Sequence, residues 1–294
     1  MSSKAFFYQF LVTTTVMAAA FGGRASAADV TVMDLPAVSA FNGKIEAGGG
    51  FADLKGIHGT GLFYGGAALS MPLGDKIGLQ ADLTVDRALH NTSIGGAAHL
   101  FTRDPHSYLL GAYGGVADVG SANLAFIGGE GELYMGNLSA ELLGGYMNVK
   151  PDGKSHQNKA FAIADFGYYA TDNFRLTLGA SSIAGFNSGH AGFEYMLDGS
   201  PFAITGDARV GSSGFASVKI GGVFYFGGNE EGKSLIRRHR EDDPRIRFND
   251  IFGAGGTAAF LKKKNSSTVP TPPPPPVAQC DIELPGYTPD LCIL

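Results

Sequence analysis

The side chains best able to do chemistry in this 294-residue chain are seven histidines, two cysteines and 27 carboxylates. Acyl transfer needs a nucleophile, a base and an orienting group within hydrogen-bond reach. Two Ser–His neighbours meet the first condition in sequence: Ser188 with His190, and Ser93 with His90. Scattered histidines and many serines produce such neighbours by chance, so solvated loop groups at a barrel rim are the favoured reading and a hydrolase is the enzymatic alternative. His58, His90, His99, His106 and His156 are dispersed without metal-ligand spacing. No metal and no cofactor is expected. Gly253-Ala254-Gly255-Gly256-Thr257-Ala258 fits a G-x-G-x-x-A string, but a dinucleotide fingerprint needs a preceding strand and a βαβ unit. Neither is readable, so this stretch is a flexible loop.

The ionisable residues carry a clearer signal, because they fall on alternate positions. From Ile77 to Asp86, Leu79, Ala81, Leu83 and Val85 alternate with Gln80, Asp82, Thr84 and Asp86. Phe174 to Ser181, Ala203 to Val210 and the stretch around Val218 to Phe224 repeat the pattern. Period-two alternation places the two sets on opposite faces of a strand. The polar face would include Lys44, Glu46, Asp82, Asp86, His99, Glu130, Glu132, Glu141, Asp165, Arg175, Glu194, Asp207, Arg209 and Lys219.

Twelve such segments can be counted, at about 41–54, 60–73, 77–88, 92–103, 107–117, 122–136, 138–150, 159–171, 174–185, 190–198, 201–211 and 214–227. Ten and fourteen strands stay open as alternative counts. The connections after even segments are turn-like: Gly74-Asp75-Lys76, Asp104-Pro105, Gly136-Asn137, Thr171-Asp172-Asn173 and Asp198-Gly199-Ser200-Pro201. Those after odd segments are more varied, the longest running from Lys150 to Lys159. Forty-four glycines are roughly twice the usual share of about 7%. Glycine weakens a soluble strand, whereas a closed barrel pairs every backbone group around the ring.

The N-terminus supplies a compartment. Lys4 precedes a mostly apolar run from Phe6 to Gly23, and Ala25-Ser26-Ala27 is an A-x-A cleavage site. Residues 1–27 are therefore expected to be an export signal and 28–40 a periplasmic leading segment. Between 28 and 228 lie 18 acidic and 11 basic residues, which is not the charge of a nucleic-acid binder. The segments are long enough for tilted membrane spans. Aromatic residues near segment ends (Phe63, Tyr64, Tyr108, Phe174, Phe202, Phe224, Phe226) suit interfacial girdles, although Trp is absent. Together these features predict an all-β fold: a transmembrane antiparallel up-and-down β-barrel over 41–228, polar face inward.

The last segment contains Lys219-Ile220-Gly221-Gly222-Val223-Phe224-Tyr225-Phe226. Lys219, Gly221, Phe224 and Phe226 resemble the C-terminal assembly signal of bacterial outer-membrane β-barrel (porin-like) proteins, here internal because 68 residues follow Phe226. The resemblance covers roughly 40–227. It implies outer-membrane location, contact with membrane lipid and recognition by the barrel assembly machinery.

Residues 229–294 change character. Arg237-Arg238-His239-Arg240, Glu241-Asp242-Asp243 and Lys262-Lys263-Lys264 are charge blocks, which are usually solvated. Pro272 to Pro276 favours a stiff polyproline spacer. Cys280 and Cys292 could close a disulfide in an oxidising periplasm. The expectation is a largely disordered periplasmic tail, with a plug folded into the lumen as the other option. The leading functional expectation is a narrow passive pore for small polar solutes or ions. A non-conducting structural or docking protein, whose tail contacts cell wall or a periplasmic partner, is the alternative.

Overall fold

A computed structural model describes residues 35–246 apart from Ser121, Gly153, Lys154 and Asp243. The expected export signal, the Gly253–Ala258 loop and the Cys280/Cys292 pair lie outside the described residues. Twelve strands form one closed barrel: β1 Asn42–Leu54, β2 Ile57–Pro72, β3 Ile77–Ala88, β4 Asn91–Asp104, β5 Tyr108–Asp118, β6 Ala122–Met135, β7 Leu138–Pro151, β8 Gln157–Thr171, β9 Phe174–Ile183, β10 Phe186–Met196, β11 Phe202–Gly211 and β12 Phe215–Gly227. Each strand pairs antiparallel with its sequence neighbours. β1 and β12 close the ring, from Asn42↔Gly227 to Asp53↔Ala216. We call the end holding Asn42 and Gly227 the terminal end, and the other the far end.

The alternation sets which side is which. On β3, Gln80, Asp82, Thr84 and Asp86 are buried, while Leu83 and Val85 are 61% and 45% exposed. A soluble barrel would show the reverse. Phe51, Phe63, Leu110, Val116, Ile127, Tyr146, Leu178, Val210 and Ile220 extend the exposed apolar coat around the ring. Such a coat meets lipid in a transmembrane barrel. Phe202 packs on Phe224 at 4.8 Å between ring centroids, and Phe224 on Phe226 at 6.3 Å, on the outward face near the terminal end. Tyr64, expected in that girdle, instead points inward and meets Thr205 Oγ1 at 3.3 Å.

Two expectations about connections change. The far-end connections are as tight as the terminal ones: Lys55-Gly56, Leu89-His90 and Ala184-Gly185 are two-residue turns, and the longest, after β7, spans only 152–156. The second change is that β10 begins at Phe186, not near 190. Gly185 at φ +87° after Ala184 at φ +52° gives the left-handed pair that a tight hairpin needs.

The glycines have a local cause. Several face inward beside large polar side chains of the next strand. A Cβ on Gly179 would collide with Asp165 Oδ1 and His190 Nε2, and one on Gly167 with the Arg175 guanidinium. These glycines make room inside the wall for the ionisable groups.

Candidate functional site: the lumen and its inserted segment

The structure places all fourteen sequence-selected ionisable residues at inward strand positions. They assemble into networks. His99 on β4 sits between two carboxylates, with Nδ1 3.0 Å from Glu130 on β6 and Nε2 3.2 Å from Asp82 on β3. Gln80 donates to Asp82 at 2.8 Å, and Tyr113 stacks on the imidazole at 5.4 Å. His190 on β10 repeats the arrangement, with Nδ1 2.6 Å from Asp207 on β11 and Nε2 3.0 Å from Asp165 on β8. A ring facing a carboxylate at each nitrogen is satisfied when both nitrogens carry a proton. Arg175 on β9 pairs with Glu141 on β7. Arg209 lies 4.0 Å from Asp207, and Lys219 lies over the Tyr64 ring at 5.1 Å.

The Ser–His pairs of the enzymatic alternative do not assemble, and Ser188 and His190 are not the solvated rim groups expected either. Ser188 and His190 lie inside the lumen, and Ser188 Oγ is 2.8 Å from Ser181 Oγ. Both His190 nitrogens meet carboxylates, Asp207 and Asp165, rather than a serine hydroxyl. Ser93 is buried in the lumen, whereas His90 is exposed on the β3–β4 turn.

The chief departure from expectation follows β12. Arg237-Arg238-His239-Arg240 and Glu241-Asp242 are not a solvated tail. A helical turn at Leu235–Arg237 continues through Arg238–Asp242 inside the terminal mouth of the barrel. Leu235 is buried against Tyr169, Met196, Ala203, Val223 and Tyr225. Its N–H bonds Asn173 Oδ1 at 3.1 Å. His239 lies between Tyr169 OH at 2.8 Å and Tyr225 OH at 3.1 Å, with Glu194 at 3.4 Å. Burial holds this imidazole below its ordinary pKa, against the opposing pull of Glu194. Asp242 is fully buried and meets Lys233 at 2.7 Å, Arg238 at 2.9 Å and Ser39.

Arg103 on β4 fastens this segment to the wall. Its guanidinium donates to Ala37 O at 2.6 Å, Asp242 O at 2.7 Å and His239 O at 3.3 Å. Sequence reasoning missed Arg103, although it shares the inward parity of His99 on β4. Deeper in, Lys44 Nζ donates to Pro244 O at 2.9 Å. Arg245 reaches Asp165 at 3.0 Å and Glu141 at 3.4 Å. Ile246 is buried among lumen residues that include Tyr113, Phe126, Leu143 and Phe161. The segment therefore climbs from the terminal rim to mid-lumen.

The lumen has three tiers. The segment fills the terminal tier. The ionisable belt lies at mid-height, around a cavity of about 100 Å³ whose lining includes Glu46, Tyr64, Thr205, Asp207 and Lys219. The far tier is largely apolar. Leu54, Leu62, Leu89, Phe186 and Phe215 line one side, and Leu124, Phe126, Met147, Val149, Phe161 and Ile183 the other. Among the described residues, no cluster of His, Cys, Asp or Glu is arranged to hold a metal ion.

A closed antiparallel barrel with an apolar coat and an ionisable interior defines a transmembrane β-barrel. No protein-family model matches the chain, and no curated protein is similar to it. Several solved structures are similar to the chain at low identity. A KdgM porin in complex with disordered oligogalacturonate is 10% identical, over 63% of this chain and 99% of that one, with TM-score 0.49. Outer membrane phospholipase A from Escherichia coli is 14% identical, over 68% and 94%, with TM-score 0.45. The translocator domain of autotransporter NalP from Neisseria meningitidis is 11% identical, over 76% and 98%, with TM-score 0.39.

Proposed function

We propose that this barrel sits in a bacterial outer membrane with its terminal end toward the periplasm, and serves as a narrow passive pore for small polar solutes or ions. The observation that carries the reading is the ionisable belt around the mid-lumen cavity. Ionisable groups gathered inside an apolar-coated wall suit passage of polar solutes, and rings of one charge sign set selectivity. Nine of the fourteen sequence-selected residues are carboxylates, which favours cations. In the conformation described, residues 233–246 occupy the entrance, so conduction requires that segment to move. Lys219, Gly221, Phe224 and Phe226 would be read by the assembly machinery before closure, with both phenylalanines outward on β12. No catalytic step is assigned, because His190 is committed to Asp165 and Asp207.

Planar-bilayer recordings test the pore. The full chain should give small or infrequent steps, and a chain ending at Gly232 larger ones. Folded protein without steps in either form would overturn the reading. The second reading, a non-conducting structural or docking barrel, is favoured by the apolar far tier, which would resist wetting. In that reading the tail contacts cell wall or a periplasmic partner, and pull-downs with and without residues 268–294 should differ.

A further inference from the structure

We propose that the far mouth of the lumen is a hydrophobic gate built from side chains of the far-end turns, with Leu89 as its moving leaf. A solute must part this gate after residues 233–246 have left the opposite entrance. The inference deepens the pore reading and rests on it.

The far mouth is closed by the barrel's own side chains. Leu89 on the β3–β4 turn, Phe186 at the start of β10 and Phe215 at the start of β12 join Leu54 and Leu62 in one buried cluster. None of the five is more than 4% exposed. Phe186 and Phe215 meet edge to face at 5.7 Å between ring centroids. On the other side of the lumen, Val119 of the β5–β6 connection is buried with Leu124 and Val149. Polar groups lie on both sides of this apolar layer. Ser181, Ser188 and Arg209 are buried inside it, and Lys55 and His90 are exposed on the turns outside. An apolar constriction between two wet compartments stops polar solutes by excluding water.

The backbone of the same turns is strained. Among the described residues, the non-glycine residues with positive φ are Leu89 at +53°, His90 at +62°, Ala184 at +52° and Ser213 at +64°. All lie on the three far-end turns that deliver Leu89, Phe186 and Phe215 to the mouth. The terminal-end turns meet the same need with Gly74, Gly136 and Gly199. A bulky side chain in the left-handed region persists only where its surroundings hold it there.

The Leu89 turn carries this strain furthest. A two-residue hairpin turn with φ > 0 at both central positions favours Asn-Gly, and Leu89-His90 supplies neither. Burial of the Leu89 side chain, and donation of its N–H to Thr60 Oγ1 at 2.8 Å, hold the turn closed. The left-handed pair opposes them, so the leaf is poised to leave the cluster. Phe215 is fixed by comparison. Its turn is tied to both neighbours, with Lys55 N–H donating to Ser213 O at 3.3 Å and Asn187 N–H to Ser212 Oγ at 3.1 Å.

A thiol reporter beneath the gate tests this. In the full chain carrying Cys280→Ser and Cys292→Ser, Ser188→Cys places a thiol two residues inward of Phe186 on β10. Its reaction with a membrane-impermeant maleimide is timed on protein folded in micelles. Leu89→Asn removes the apolar leaf and suits the left-handed turn, so the barrel should fold. The labelling rate should rise about tenfold, the order expected when a buried leucine loses its apolar contacts. Thr60→Val removes the acceptor of the Leu89 N–H and should raise the rate by less. His90→Asn relaxes the same turn but keeps the leaf, so its rate should stay at or below the parent's. Trypsin protection of Arg237 and Arg240 should be unchanged in all three, which shows that the reagent did not enter past the inserted segment. A Leu89→Asn rate equal to the parent's overturns the inference, as does an equal rise in His90→Asn or a rise that comes only with lost trypsin protection. The pore reading fails separately in planar bilayers. Faster labelling of Leu89→Asn without steps in any form removes conduction and keeps a movable far mouth. Steps after truncation at Gly232 whose open times do not lengthen with Leu89→Asn keep conduction and remove the gate.

Discussion

Asp165 joins the inserted segment to the barrel wall: one carboxylate oxygen meets Arg245 at 3.0 Å, the other His190 Nε2 at 3.0 Å. Through His190 the contact continues to Asp207, and through Arg245 to Glu141. The segment is therefore held by the same charge network that lines the mid-lumen. Asp165→Asn should remove the carboxylate that faces both the Arg245 guanidinium and the His190 imidazole. Removing one member of a buried pair typically costs about 3–5 kcal/mol. The Arg245 side chain is 24% exposed, so the lower end applies to its share. The expected outcome is a barrel that still folds but whose residues 233–246 become cleavable by trypsin at Arg237 or Arg240. A segment as protected as in the parent would show that Asp165 is not its anchor.

Gly179 faces inward on β9 beside that same carboxylate, and an added methyl would overlap Asp165 Oδ1 and His190 Nε2. Gly179→Ala should cost about 1–3 kcal/mol, the usual range for overpacking. Gly222→Ala is the matched control, since a Cβ there would meet nothing closer than Ala203 O at 3.7 Å. The measurement is the urea midpoint for unfolding from vesicles or micelles. Equal midpoints for the two variants would show that Asp165 and His190 can shift at no cost.

The wall was legible in the sequence because its side-chain period is two, and Gln80, Asp82, Thr84 and Asp86 are consecutive inward positions of one strand. Strand number followed for the same reason. The inserted segment was not legible. Arg238, His239 and Asp242 look like solvated charge, since buried ions are uncommon unless paired. Their partners are Arg103, Glu194, Tyr169, Tyr225 and Ser39, and the Ser39–Asp242 contact spans 203 residues. No local spacing announces such a contact. The inward parity of Arg103 on β4, shared with His99, was the one available clue. The reading of Ser188 and His190 as a rim pair failed for a related reason: residues two apart on a strand share a face, but β10 begins at Phe186, which carries both into the lumen.

The outward coat gives a test of the whole architecture. Ile220 on β12 is 61% exposed and pairs with Gly49 and Gly206 on its two neighbours, so a longer side chain there meets no packing barrier from those partners. Ile220→Arg should therefore report lipid contact and little else. Near the bilayer midplane the cost is about 2–4 kcal/mol. Folding of the purified chain into vesicles, followed by heat-modifiable gel mobility and urea titration, would read it. Ile220→Leu should be neutral. An arginine tolerated as well as leucine would mean that this face meets water.

His239 gives the segment a pH dependence whose sign is fixed by its surroundings. Facing it are Tyr169 on β8, Arg175 on β9, Glu194 on β10, Tyr225 on β12 and Lys44 on β1, while Arg103 on β4 holds its carbonyl. Burial lowers its pKa from 6.5, with Arg175 and Lys44 adding to the effect and Glu194 opposing it. The docked segment thus binds its proton more weakly than a solvated one. The stabilisation from a neutral His239 is complete above about 6.5 and is lost as pH falls through the lower docked value. Acidification should loosen residues 233–246, seen as faster trypsin cleavage at Arg237 and Arg240 once rates are corrected for the protease's own pH profile. In bilayers the same change should raise open probability. His239→Gln keeps a hydrogen-bonding side chain without a titrating proton, so its cleavage rate should be flat over that interval. A parent whose cleavage rate is equally flat would show that the imidazole does not govern docking, and a variant that keeps the full response would move the sensor to Glu241 or another group of the segment.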